Sequence, residues 1–246
     1  MFTLYSADFT GNPGNCSYPH KTVVMNTDNL REAVCHDYVC AEYKNHYRNG
    51  ENFISADCLP VDCDNDHSED PKDWVTPADV LEAFPGVSIA IHYSRFNNRE
   101  KNGKPARPKF HVLFPIDRMT DATLYSDMKK LVNSIFPYFD TKALDAARFF
   151  FGTQEPNVEL YPGRMNLTEF LNDDEFDAGL PGGHKKDAVI PEGSRNAVMS
   201  RFAGIVIKKY GDSEQAYQSF LEKAATCVPL LYNNELSTIW HSAQRF

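Results

Sequence analysis

The chain has 246 residues, 42% of them hydrophobic and 13% aromatic, which is enough for one large domain or a domain with a small companion and too apolar for a disordered chain. No apolar run approaches the roughly 20 residues of a membrane span, and the opening MFTLYSADFTG lacks the basic-then-apolar pattern of a secretory leader. The net charge of −9, taken as an average, argues against a nucleic-acid partner, but the charge is unevenly placed: residues 62–73 carry six acids and one lysine, and residues 95–109 carry six basic residues and one acid. An acidic patch and a basic stretch on one fold suit a cation site beside a polyanion site. The six cysteines (16, 35, 40, 58, 63, 227) form no CxxC pair and fit reduced thiols in the cytoplasm. The spacings of Cys35, His36, Cys40, Cys58 and Cys63 are loose for a zinc site, so zinc is not expected.

In chain order, KTVVMN (21–26) reads as a strand. TDNLREAVCHDYVCAEYK (27–44) opens on a capping residue and continues with Leu30, Ala33, Val34 and Tyr38 at helical spacing. FISADCLPVDCD is extended and broken by Pro60. TPADVLEAF (76–84) starts Thr-Pro, a helix N-terminus. VSIAIHYS (87–94) and KFHVLFPI (109–116) are strands, joined by a long hairpin through the basic loop. DATLYSDMKKLVNSIF (121–136) is an amphipathic helix, and ARFFFGT (147–153) is a strand ending at Gly152. After about residue 160 the linker-like YPGRMN, GLPGG and IPEGS lead to three helical stretches, 194–211, 212–227 and 234–246, with Gly211 and Asp212 as a cap junction. The expected organisation is therefore an α+β domain over residues 1–180 and a small all-α module over 181–246.

The chemistry concentrates in PVDCDNDHSEDP (60–71). Alternate residues on a strand share a face, so Asp62 and Asp64 lie roughly 6.5–7 Å apart on one side. Carboxylates so placed can bracket divalent ions, and oxygen ligands favour Mg²⁺ or Mn²⁺. Asp62, Asp64, Asp66 and Asp73 also follow part of a calcium-loop pattern. However, His67 stands where that loop needs glycine, and no helix precedes it. In KFHVLFP, Phe110, Val112 and Phe114 face one way and Lys109, His111 and Leu113 the other, so His111 and Lys109 can reach a triphosphate. In YFDTKALDAARFFFG either Asp140 or Asp145 completes the carboxylate set, and Arg148 can hold a phosphate bidentately.

An Asp-x-Asp strand, a strand with x-x-His and a hydrophobic-Asp turn leading to an Arg-containing strand, in that order, resemble the archaeo-eukaryotic primase superfamily. The likeness is to the primase–polymerase domains of phages and plasmids, and it spans most of residues 50–153. The three motifs fall on VDCD (Asp62, Asp64), KFH (His111) and FDTKALDAAR, where the hydrophobic-Asp pattern selects Asp140 over Asp145. Lys109 stands where the family's second motif has serine. The tail, IPEGSRNAVMSRFAGIVIKKYG followed by LSTIWHSAQRF, looks like the helical region that follows such domains and that often leads to a helicase, so the chain fits a piece of a longer replication protein.

The resemblance implies an RRM-like catalytic core with a mixed or antiparallel sheet, and template-directed nucleotidyl transfer by a DNA primase or polymerase. It implies two Mg²⁺ or Mn²⁺ ions on Asp62, Asp64 and Asp140, an incoming NTP or dNTP gripped by His111, Lys109 and Arg148, and a single-stranded DNA template against Arg95, Arg99, Lys101, Lys104 and Arg107. The tail residues Lys185, Lys186, Arg195, Arg201, Lys208 and Lys209 would add template contacts. The location implied is the cytoplasm of a bacterium or phage-infected host, with a helicase partner in the same or a separate chain and no membrane. A metal-dependent nuclease and a non-catalytic DNA-binding initiation module are the alternative readings of the same residues.

Overall fold

The computed structural model describes residues 1–101, 103–136, 138–172, 190–191 and 195–244. Its elements are β1 (Phe2–Ser6), β2 (His20–Val24), α1 (Thr27–Val34), β3 (Tyr38–Val39), β4 (Glu42–Tyr43), β5 (Phe53–Cys63), α2 (Pro77–Ala83), β6 (Ile89–Tyr93), β7 (Arg99–Lys101), β8 (Lys104–Arg107), β9 (Phe110–Met119), α3 (Ala122–Ile135), β10 (Phe149–Phe150), β11 (Val158–Tyr161), α4 (Leu167–Asn172), β12 (Ile190–Pro191), α5 (Arg195–Tyr210), α6 (Glu214–Ala224), β13 (Cys227–Val228) and α7 (Asn233–Gln244). The fold is α+β. A large sheet runs β11-β6-β9-β5-β4 and a smaller one β10-β3-β1-β2, and every strand pair in both is antiparallel. In the large sheet β9 stands between β5 and β6, so the first β–α–β unit (β5, α2, β6) is split by an antiparallel strand. No helix among the described residues is long and apolar enough to cross a membrane.

The large sheet is covered on both sides. Val61, Ile91, Phe110, Val112 and Phe114 pack on Val80 of α2, on Phe84 just after it, and on Tyr125 and Val132 of α3. Cys58, Ala90 and Leu113, on the opposite face, meet Leu30 and Val34 of α1, Tyr38 and Phe150. The expected parity of β9 thus has a physical basis: both faces are dry, and the polar side chains on the second face are enclosed with the apolar ones. A third cluster (Met199, Ala203, Phe220, Trp240 and neighbours) belongs to α5, α6 and α7.

Three local expectations change. The helix from residue 27 stops at Val34, because the next turn delivers Asp37 to a buried position where its carboxylate accepts from the backbone N–H groups of Gly11, Asn12 and Gly152. Tyr38–Val39 and Glu42–Tyr43 then enter the sheets, and the cap of α1 is Asn26, one residue earlier. Pro60 does not break the strand. β4 pairs with β5 only around Phe53 and Ser55, so Pro60 needs partners in this sheet on the β9 side alone. Gly211 takes the left-handed φ of +69°, but Ser213, not Asp212, caps α6 through Ala216 N–H. The expected domain boundary near residue 180 lies outside the described residues.

Candidate active site

Strand register sets the site. Asp62 on β5 stands opposite His111 on β9, and His111 stands opposite His92 on β6, so three polar side chains form a row across adjacent strands on one face. Asp64 follows one step beyond the end of β5. Asp140 arrives from the other direction, docked by its own backbone N–H on the carbonyl of Asp62 at 2.7 Å. The turn that carries it is hung from side-chain donors. Asn133 Nδ2 holds the Phe139 carbonyl at 2.7 Å, Lys129 Nζ that of Asp145 at 2.8 Å, Tyr43 Oη that of Ala146 at 2.7 Å and Arg48 Nη1 that of Ala147 at 3.0 Å. Oxygens of Asp62, Asp64 and Asp140 come within 4.8 Å of one another, the one grouping among the described residues able to hold a metal ion. Asp145, the other candidate, turns its carboxylate to the Ala147 N–H at 2.8 Å and is not in the group.

The fit to a hard cation is visible in the polar accounting. Asp62 is 7% exposed, and its Oδ1 is buried with no hydrogen-bond partner. A carboxylate oxygen in that position carries a desolvation penalty that a cation would remove. Burial, followed by the charge of Asp64, raises the Asp62 pKa to about 7, against the opposing pull of Arg148 and Lys109. The donors are all oxygens, which suits Mg²⁺ or Mn²⁺.

Opposite the carboxylates lies a cationic wall. Lys109 is buried, with Nζ 3.0 Å from Asp64 Oδ1, 3.3 Å from Asp66 Oδ1 and 2.9 Å from the Asp64 carbonyl. His111 Nε2 is 3.7 Å from Asp62 Oδ1. Burial lowers the His111 pKa to about 4, so the ring is neutral near pH 7. Arg148 Nε is buried without a hydrogen-bond partner. Carboxylates and cations face a single cavity of ≈ 500 Å³, to which Asp66, Arg95, Lys104, Lys142 and Phe151 also contribute.

The basic loop divides. Arg95 lines the cavity, stacked 4.1 Å from the Phe151 ring centroid and 5.3 Å from that of Phe96. Lys104 lines it too, tied to Asp66 at 3.2 Å. Arg99 is exposed on the β7–β8 hairpin and is not part of the lining. Arg107 corrects the expectation of a template contact. It is fully buried, donates to the Asn65 carbonyl at 2.7 Å and pairs with Glu69 at 3.1 Å, so it fastens the acidic loop to the hairpin. In the tail, Arg195 Nη1 is engaged by the Pro229 carbonyl at 2.6 Å. Lys185 and Lys186, and the side chains of Lys101, Arg201, Lys208 and Lys209, lie outside the described residues.

Sequence reasoning missed Tyr38, His92 and Thr153, which stand behind His111, and Lys142 at the cavity rim. The only advance signal for His92 was a histidine inside an apolar strand facing a second histidine-bearing strand.

No family model matches the chain, and no curated protein does. Among solved structures the chain is similar to the AEP domain of the cyanophage S-2L primase–polymerase, at 13% identity and a TM-score of 0.38, over 66% of this chain and 81% of that one. A likeness of that size leaves the functional reading to the residues themselves.

Proposed function

We propose that the protein is a template-directed nucleotidyltransferase of the primase–polymerase kind, acting in the cytoplasmic replication of a mobile element. The observation that carries this reading is the meeting, in one cavity, of a three-carboxylate cluster with a buried orphan oxygen and a wall of basic side chains. In this reading Asp62, Asp64 and Asp140 hold two divalent cations, Mg²⁺ or Mn²⁺. The chemistry such cations supply is neutralisation of the triphosphate and a lower pKa for the attacking hydroxyl.

The chain's own side chains do the rest. Asp62 releases its proton as the site fills. Lys109 exchanges its pairing with Asp64 and Asp66 for a phosphate oxygen. His111 offers a ring N–H, and Arg148, with Nε still unpartnered, offers a fork of donors. Arg95 and Lys104 at the rim meet the single-stranded template or the nucleotide's phosphates, as does the exposed Arg99. The helical tail, from about residue 181, serves as the C-terminal primase module, with a helicase beyond it or in a separate chain.

The test is synthesis on single-stranded DNA, with and without primer, using NTPs or dNTPs and Mg²⁺ or Mn²⁺. Product should form, and Asp62→Asn or Asp64→Asn should reduce it to background with an unchanged circular-dichroism spectrum. Full activity in both variants would sink the reading. Template shortening without added nucleotides would instead assign the carboxylates to a nuclease, and salt-sensitive DNA binding with no metal-dependent chemistry would assign the protein to an initiation module.

A further inference from the structure

Behind His111 lies a buried polar chain that the site described above does not use. Tyr38 Oη is 3.2 Å from His111 Nδ1 and 3.1 Å from His92 Nδ1, and His92 Nε2 is 3.2 Å from Thr153 Oγ1. The two Nδ1 atoms are themselves 3.4 Å apart. Tyr38 and His92 are fully buried, so every donor and acceptor here must be matched from within the chain.

The proton count is constrained. Two Nδ1–H groups 3.4 Å apart would place hydrogen against hydrogen, and two bare Nδ1 atoms would leave one lone pair unmet, since Tyr38 has one proton to give. One Nδ1 therefore carries hydrogen and the other accepts from Tyr38. The Nδ1 edges of both rings meet only Tyr38 and each other, with no carboxylate to balance an added charge, so neither ring resolves the conflict by carrying two protons. Two directions of the chain remain. The choice falls at the His111 end, where Nε2 faces Asp62 Oδ1 at 3.7 Å. The same cavity holds Asp64 and Asp140, so acceptor oxygens outnumber protons in front of that ring edge: an N–H there is attractive and a bare lone pair is repulsive.

We propose that Thr153, His92 and Tyr38 form a one-way hydrogen-bond chain that holds His111 as the Nε2–H tautomer, with its donor aimed into the carboxylate cavity. Thr153 O–H donates to His92 Nε2, His92 Nδ1–H donates to Tyr38 Oη, and Tyr38 O–H donates to His111 Nδ1. Tyr38 and His92 are positioning residues: they touch no substrate and act through the proton they fix on His111. The ring–ring contact at 3.4 Å is too long to replace the tyrosine bridge. This inference rests on reading His111 as a phosphate contact only for its kinetic consequence, while the tautomer itself can be observed without any reaction.

The test is the nitrogen spectrum of the metal-free full chain labelled with ¹⁵N-histidine at about pH 9, above the Asp62 pKa of about 7. His111 should show a pyrrole-type Nε2 and a pyridine-type Nδ1, and His92 the reverse. A pyridine-type Nε2 on His111 would overturn the proposal even in a protein that synthesises DNA. Tyr38→Phe should then mix the His111 tautomers and raise the nucleotide KM about tenfold, with little change in kcat and none in Mn²⁺ affinity. An unchanged tautomer in that variant would remove Tyr38 from the role. A protein with the expected spectrum but no synthesis would count against the proposed function and leave the hydrogen-bond chain standing.

Discussion

Asp62 is where burial and function pull hardest against each other. Its folded pKa of about 7 lies above the ordinary 3.8, so the native state keeps a proton that the unfolded chain gives up. Its contribution to stability is complete below the unfolded value and is lost as pH rises through the folded one. The metal-free protein should therefore lose up to about 4 kcal/mol from this group between about pH 4 and 8. His92 and His111 slope the other way, because their depressed pKa values favour the fold only above the ordinary histidine range. The difference curve against Asp62→Asn isolates the aspartate. By calorimetry with chelator near pH 8 the variant should melt above wild type, and it should no longer gain from Mn²⁺. Parallel curves at all pH values would exclude the linkage. The pairing of Asp62 with Asp64 was legible in the sequence because alternation along a strand is a local rule. The Tyr38–His92–His111 contact was not, because it depends on register between strands 54 and 73 residues apart. Arg107 was misread for the same reason: a charge count cannot see carbonyl acceptors some 40 residues away.

At the scale of elements, long periodic segments were legible and short ones were not. The α3 helix, the β6 and β9 strands and the Thr76–Asp79 capping box follow from local pattern. β3 and β4 have two residues each, too few to show a period, and they exist because neighbouring strands supply partners, whereas β10 was legible as the strand ARFFFGT and keeps only Phe149–Phe150 of it. The apolar stretch after α1 therefore looked like more helix. Gly152 shows what holds β10 in place. A Cβ there would lie 2.1 Å from the His36 carbonyl oxygen, backbone against backbone. Gly152→Ala should destabilise by about 3 kcal/mol, measured by denaturant unfolding, as the strand is pushed off the turn that Asp37 anchors. A change near zero would show that this contact relaxes freely.

For the whole molecule, a net charge of −9 coexists with a cavity wall of Arg95, Lys104, Lys109, Lys142 and Arg148. On the proposed function, local field rather than average charge governs the binding of single-stranded DNA. Affinity for single strands should fall steeply with salt, and Arg95→Ala and Lys104→Ala should each reduce the slope of log K against log salt by about 0.7. Arg107→Ala should leave that slope unchanged and lower stability instead, since its guanidinium is buried among carbonyls. Equal slopes in all three variants would remove the rim from the binding surface. The sequence placed these charges in one loop but could not say which of them fold inward.

Lys109 has a wider consequence. Its ammonium sits between Asp64 and Asp66, where it supplies the positive charge that clustered acids need in order to coexist. The chain thus brings its own placeholder counter-ion, and assembly of the acidic corner need not wait on the cell's supply of divalent metal. On the proposed function, a cation would meet an acidic corner that is already folded, and would displace the lysine with no refolding.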